Sequence, residues 1–166
     1  MNPTLVEVIG CDDTEEAALN IGFSFVKAIG KFPLGCASSP GFVVNRVLWP
    51  YMSEAMMLAQ EGVPLAEIDR AAEDFGMPMG PIELADTVGL DICLSVADKM
   101  AEALQNPVPR RLRELVDAGH LGRKSGQGFF VWRDGRAVKP DERGLVPLAE
   151  PEISDRLILR LINESV

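Results

Sequence analysis

A mainly α-helical domain with one β-strand ahead of it is the fold class that this chain of 166 residues predicts. Three observations lead there. Apolar residues recur at three-and-four spacing through most of the chain, with Gly and Pro between the runs. Only Leu5-Val6-Glu7-Val8-Ile9 is apolar and β-branched in the manner of a clear strand. And 47% of the residues are apolar, enough for a core and far from a disordered composition.

Residues 4–10 read as a strand that ends at Gly10. With few other strands in view it is expected to be orphaned, either disordered or borrowing an edge from another copy. Asp13 or Thr14 can cap the next helix, with Glu15 and Glu16 in its first turn. That helix carries Ala18, Ile21, Gly22, Phe25, Val26 and Ile29 at helical spacing and stops at Gly30. Residues 32–36 can form a short second strand. Ser38 or Ser39 is then expected to cap a long helix, with Pro40 near its first position. Phe42, Val43, Val44, Val47, Leu48, Tyr51, Met52, Ala55, Met56 and Ala59 make it apolar over more than half its girth, which suits a central position. Pro50 removes one internal hydrogen bond and predicts a kink; Gly62 ends the helix.

Shorter helices are predicted near 64–75, 81–88, 90–104 and 108–118. Phe129-Phe130-Val131-Trp132 is a short apolar stretch with an Asp134-Gly135 turn after it, and residues 133–151 read as a linker. The final helix, Asp155-Arg156-Leu157-Ile158-Leu159-Arg160-Leu161-Ile162-Asn163-Glu164-Ser165, can be laid over the stretch from Asn45 to Ala55. Polar-Arg opens both, and a Glu lies eight residues after the Arg in each. This suggests an internal repeat that begins and is cut off. A lone helix of that length is marginal in water and needs a neighbour.

The net charge is -9, and it is uneven: residues 1–100 hold 5 basic and 15 acidic side chains, residues 101–166 hold 11 and 10. That balance argues against nucleic acid, whose binding rests on phosphate neutralisation. Arg110, Arg111, Arg113, Arg123 and Lys124 form a local basic stretch that could meet small-ligand phosphates, or simply be a solvated face. No apolar run approaches the roughly 20 residues of a membrane helix, and no signal peptide is visible. Cys11, Cys36 and Cys93 lack metal or disulfide spacing, which fits a reducing, cytoplasmic setting; no metal site is expected.

Several separate motifs occur in one order. They are Leu5-Val6-Glu7-Val8-Ile9, Gly30-Lys31 with a Pro, and Pro40-Gly41-Phe42-Val43-Val44-Asn45-Arg46. Met77-Pro78-Met79-Gly80-Pro81 with Asp86 follows, then Val88-Gly89-Leu90-Asp91, and last Gly122-Arg123-Lys124-Ser125-Gly126-Gln127-Gly128-Phe129-Phe130. Over about residues 4–132 this set resembles the C-terminal domain of the L-3-hydroxyacyl-CoA dehydrogenase family. The resemblance implies the helical, 6-phosphogluconate dehydrogenase C-terminal-like domain of such an enzyme. It also implies NAD, bound mainly by an N-terminal domain that this sequence lacks, and an acyl-CoA substrate.

In that family a His takes the proton of the substrate's 3-hydroxyl while hydride leaves carbon 3. A Glu holds the His ring in its working tautomer, and Glu7 matches that position. Strand alternation sets Glu7 on a face with Leu5 and Ile9, where a charge that discourages edge pairing is the plainer reading. Asn45 matches the substrate-site Asn, an amide that can donate to a carbonyl and stay neutral; a solvent-facing residue is its plainer reading. Lys124 matches a Lys that contacts the cofactor, although a surface Lys between glycines is equally ordinary. The glycines around it do not make a phosphate-binding loop, because no strand leads in and no helix follows.

The chain departs from the family pattern in its histidine. The only one, His120, lies beside Gly119 and Gly122 and reads as a surface turn residue. Asn2-Pro3 echoes the Asn-Pro after the family's His, but its spacing to Glu7 is short and no role follows.

The expected organisation is the end of a nucleotide-binding domain with a connecting helix over 1–36, and a helical substrate and dimerisation domain over 37–132. A linker over 133–151 and the start of a truncated second repeat over 152–166 complete it. The expected function is the C-terminal portion of an NAD-dependent dehydrogenase of fatty-acid β-oxidation, inactive when isolated. Its partners would be acyl-CoA and the nucleotide-binding domain, with a homodimer possible and neither nucleic acid nor membrane involved. The competing reading is a non-catalytic helical module for domain or subunit association, which the girth of the 40–62 helix also suits.

Overall fold

The computed structural model describes residues 4–104, 107–140 and 148–165. Asn2-Pro3 lies outside them. The chain divides into two compact units, Met1–Arg46 and Val47–Val166.

The first unit is a β-α-β motif. Strand β1 (Leu5–Gly10) pairs in parallel with β2 (Phe32–Ala37), in a register that sets Leu5 against Phe32 and Glu7 against Leu34. Helix α1 (Glu16–Ala28) makes the crossover that a parallel pair needs. Its Leu19 and Phe23 reach down to Gly10 and Gly35, and Val26 is buried. The orphaned strand expected from sequence is therefore corrected: β1 finds its partner 27 residues further along the same chain. Pro33 is tolerated in β2 because a two-stranded sheet consists only of edge strands. The expected α1 cap is also corrected. Thr14 Oγ1 accepts the Cys11 N–H at 3.0 Å, and the N-cap residue, Glu15, makes no side-chain cap bond.

The second unit is helical. It takes up α2 (Val44–Gln60) from Val47 onward, then α3 (Leu65–Phe75), α4 (Pro81–Val88), α5 (Leu90–Leu104) and α6 (Arg110–Asp117). A hairpin of β3 (Val131–Arg133) and β4 (Arg136–Val138) follows, and α7 (Glu150–Asn163) ends the fold. Its core is built from Tyr51, Met56 and Leu58 on α2, Ile68 on α3, Ile82 on α4, Leu90 and Met100 on α5 and Leu112 on α6, with Phe130 and Leu157. The apolar girth of α2 is used on all sides: residues 49–56 are all buried. Pro50 lies inside the helix.

The hairpin turn is Asp134-Gly135, as the sequence suggests, with φ of 50° and 75° at its two residues. The stretch read as a linker from 133 onward is thus ordered at its start. Residue Lys139, just past β4, is bound by three carboxylates. The last helix has the neighbour it needs. It packs on α3, and Ile153, Leu157 and Ile158 are buried.

Candidate active site

Glu7 caps the start of α2, whose first turn carries Asn45. Glu7 Oε1 accepts the Val43 N–H at 2.8 Å and the Val44 N–H at 2.9 Å, the first free donors of that helix. The cap expected from Ser38 or Ser39 is thus supplied by a carboxylate 36 residues upstream, where the positive end of the helix dipole favours an anion. The turn before it is strained. Gly41 has φ 79° and Phe42 has φ 50°, a left-handed value that a phenylalanine rarely takes. This turn aims two successive N–H groups at one oxygen. Asn45 follows in the first turn, its N–H bonded to the Gly41 carbonyl at 3.1 Å. Its side chain is exposed and makes no hydrogen bond among the described residues. Both hydrogen bonds to Glu7 fall on one oxygen, which leaves its other oxygen able to accept from a ligand.

Lys124 belongs to the second unit and has its own surroundings. It sits in a 3-10 turn, Arg123–Ser125, and its Nζ donates to Asp91 Oδ1 at the start of α5. The Asp91 carboxyl is held below its usual range by that hydrogen bond. The turn is closed by Ser125, whose Oγ accepts the Leu121 N–H at 2.8 Å and donates to the Gln127 carbonyl at 2.7 Å.

Asp86 fixes this segment from beneath. Fully buried, it accepts the N–H groups of Phe129 and Phe130, both at 2.9 Å, and the Trp132 indole N–H at 3.0 Å. A Cβ at Gly128 would lie 2.1 Å from Asp86 Oδ1, and one at Gly122 would lie 2.2 Å from the Asp86 carbonyl oxygen. Only glycine lets the loop approach this closely. Burial raises the Asp86 carboxyl, against the lowering effect of its donors.

A second buried carboxylate escaped the sequence reading. Asp69 accepts the Ile82 N–H at 2.8 Å and the Glu83 N–H at 3.2 Å, capping α4 from α3. Among the described residues, Asp69, Glu73 and Glu83 form a cluster tight enough to hold a metal ion, but the Lys139 ammonium lies within it, 2.7 to 3.1 Å from all three. The arginines of the basic stretch from 110 to 123 are also engaged. Arg110 pairs with Glu114, Arg113 pairs with Asp98, and Arg111 and Arg123 lie over the Phe129 and Trp132 rings. His120 is half-buried in the turn after α6, where its N–H bonds to the Leu115 carbonyl.

The Lys124 ammonium is 46% exposed and has N–H bonds beyond the one Asp91 takes, which suits phosphate or ribose oxygens. No helix among the described residues is long and apolar enough to cross a membrane.

Comparison with known proteins gives the chain its relatives. The chain is 42% identical over 142 residues to a probable 3-hydroxybutyryl-CoA dehydrogenase of Deinococcus radiodurans, covering 80% of this chain and 51% of that protein. It is 39% identical over 140 residues to the fatty acid oxidation complex subunit alpha of Pseudomonas syringae pv. tomato, covering 82% of this chain and 19% of the relative. Among solved structures it resembles FadB2 of M. tuberculosis, with a TM-score of 0.76 and 37% identity over 80% of this chain and 48% of that one. The 3-hydroxybutyryl-CoA dehydrogenase of Escherichia coli gives a TM-score of 0.73 at 38% identity over 82% of this chain and 30% of that one. The chain thus spans about half the length of the Deinococcus relative and about a fifth of the Pseudomonas one. Residues 41–132 match the pattern of the 3-hydroxyacyl-CoA dehydrogenase C-terminal domain, and the chain belongs to that family.

Proposed function

We propose that this chain is the C-terminal portion of an NAD-dependent enzyme that oxidises L-3-hydroxyacyl-CoA to 3-oxoacyl-CoA in fatty-acid β-oxidation, working in the cytoplasm. The observation that carries the reading is the Glu7 carboxylate seated against Val43 and Val44, one residue before Asn45. Two backbone donors fix Glu7 through Oε1, so its other oxygen can take the N–H of an imidazole and set that ring's tautomer. By the family resemblance the imidazole belongs to a His ahead of the strand that carries the Glu, and His120, in the turn after α6, is not assigned that role. That imidazole would receive the 3-hydroxyl proton, and bound NAD would supply the acceptor for the hydride of carbon 3. The Asn45 amide donates to the substrate oxygen without changing charge. Lys124 meets cofactor oxygens. The exposed Ile21, Phe25 and Phe32 suit packing against the rest of the nucleotide-binding domain.

The test uses the full-length protein. Glu7→Gln is expected to lower kcat about 10²-fold or more, because a neutral amide no longer stabilises the imidazolium. Asn45→Ala is expected to lower kcat/KM about 10²-fold with little change in melting temperature, since its side chain makes no internal bond. The isolated chain is expected to show no turnover of 3-hydroxybutyryl-CoA. Wild-type rates in both variants would remove the proposal.

A further inference from the structure

We propose that Asp91 is a positioning residue for Lys124, holding its ammonium where it meets the oxygens of the dinucleotide. This rests on the reading of Lys124 as a cofactor contact. A lysine reaches out on four rotatable bonds, and a ligand that fixes it must overcome the lost rotamer freedom. Asp91 removes that freedom in advance, because its Oδ1 accepts from Lys124 Nζ.

The pair joins residues 33 apart in sequence, so the fold builds it rather than a local turn. Both ends are mounted on the same support. Lys124 stands in the loop that Asp86 grips through Phe129 and Phe130, and Asp91 follows α4, where Asp86 itself lies. The Leu90 N–H also bonds to the Leu121 carbonyl, tying the start of α5 to the chain just before the turn. Gly89, at φ 108°, clears the space between them. A Cβ there would lie 3.0 Å from both Asp91 Oδ1 and Lys124 Nζ, and a side chain would press on the pair. Lys124 is 46% and Asp91 43% exposed, so a ligand can reach the ammonium from solvent. An ammonium has three N–H bonds; Asp91 takes one and orients the others.

The experiment measures NADH binding by nicotinamide fluorescence, together with KM for NAD and kcat, in the full-length protein. The variants are Asp91→Asn, Asp91→Glu, Lys124→Met and the double Asp91→Asn/Lys124→Met, each checked for an unchanged melting temperature. Asp91→Asn is expected to weaken NADH binding and raise KM for NAD about tenfold, with kcat at saturation nearly unchanged. Asp91→Glu should recover most of the affinity, and Asp91→Asn should add nothing once Lys124 is gone. An undiminished effect of Asp91→Asn in the Lys124→Met background would show a merely structural role and overturn the proposal. Weakened binding in Lys124→Met with none in Asp91→Asn overturns it while leaving Lys124 a cofactor contact. No change in Lys124→Met overturns the Lys124 reading itself, and the proposal with it.

Discussion

The carboxylate of Asp86 meets the backbone N–H of Phe130 at 2.9 Å, across 44 residues of chain. With Phe129 and Trp132 it satisfies three donors that the interior would otherwise leave unpaired. This is the joint between the Met-Pro-Met-Gly-Pro helix and the loop that carries Lys124.

Asp86→Ala removes the acceptor and leaves those donors buried. Each unmade bond costs about 1–3 kcal/mol, so the loss should be about 3 kcal/mol or more. Gly128→Ala attacks the same joint from the other side, by placing a methyl 2.1 Å from Asp86 Oδ1. The two changes share one joint, so the double variant should lose less than their sum. Urea denaturation of the isolated chain measures all three. A loss under 0.5 kcal/mol for Asp86→Ala, far below the ~3 kcal/mol expected, would show that water replaces the carboxylate.

The Asp69 cluster makes stability depend on pH. Burial raises the Asp69 carboxyl from 3.8 to about 6, although Lys139 and the Ile82 N–H pull the other way. A carboxyl whose folded pKa lies above its unfolded one stabilises the fold when protonated. That contribution is complete below pH 3.8 and is lost as pH rises through about 6. At about 1.4 kcal/mol per unit it is on the order of 3 kcal/mol. Lys139 limits the cost of the ionised state at neutral pH. Lys139→Met should therefore cost roughly 2–3 kcal/mol at neutral pH, less than breaking a fully enclosed pair, and the penalty should shrink in acid. Asp69→Asn should flatten the pH profile and soften the effect of Lys139→Met. Denaturation curves at several pH values decide it; a Lys139→Met penalty that does not vary with pH contradicts this account.

The helical layout was legible because punctuation and periodicity agree. Pro81 opens α4 and Gly89 separates it from α5, so both helices fall at their predicted limits. What escaped was decided by partners remote in sequence. The short strand at 32–36 was expected, but its parallel pairing with β1 was not, because that pairing depends on the α1 crossover that brings the two together. Two serines stand where a cap belongs, yet Glu7 does the capping through a turn with two positive φ values. Asp86 was visible as part of a motif, but its role depends on a loop more than 40 residues away. The site residues Glu7, Asn45 and Lys124 came from family resemblance, because nothing in local spacing distinguishes them from surface residues.

The last helix belongs physically to the second unit although it lies beyond residues 41–132, the stretch that matches the family pattern. Ile153 and Leu157 are 1% and 0% exposed, and Ile158 is nearly so. Arg156 bonds to Glu54 Oε1 at 2.8 Å and to Glu61, and Arg160 bonds to Glu54 Oε2 at 3.1 Å. A chain that stops before Leu148 would expose the wall these side chains cover, losing about 1.5–3 kcal/mol for each large apolar group. It would also leave Glu54 on the bared face without either guanidinium. Losses of that size approach the whole stability of a small domain. The shortened chain should unfold without a sharp transition or associate through the bared face, and adding Glu54→Gln should restore part of its melting temperature by removing the uncompensated charge. Calorimetry with light scattering distinguishes the outcomes: an unchanged, sharp transition in a monomer would make α7 a passenger rather than a part of the core.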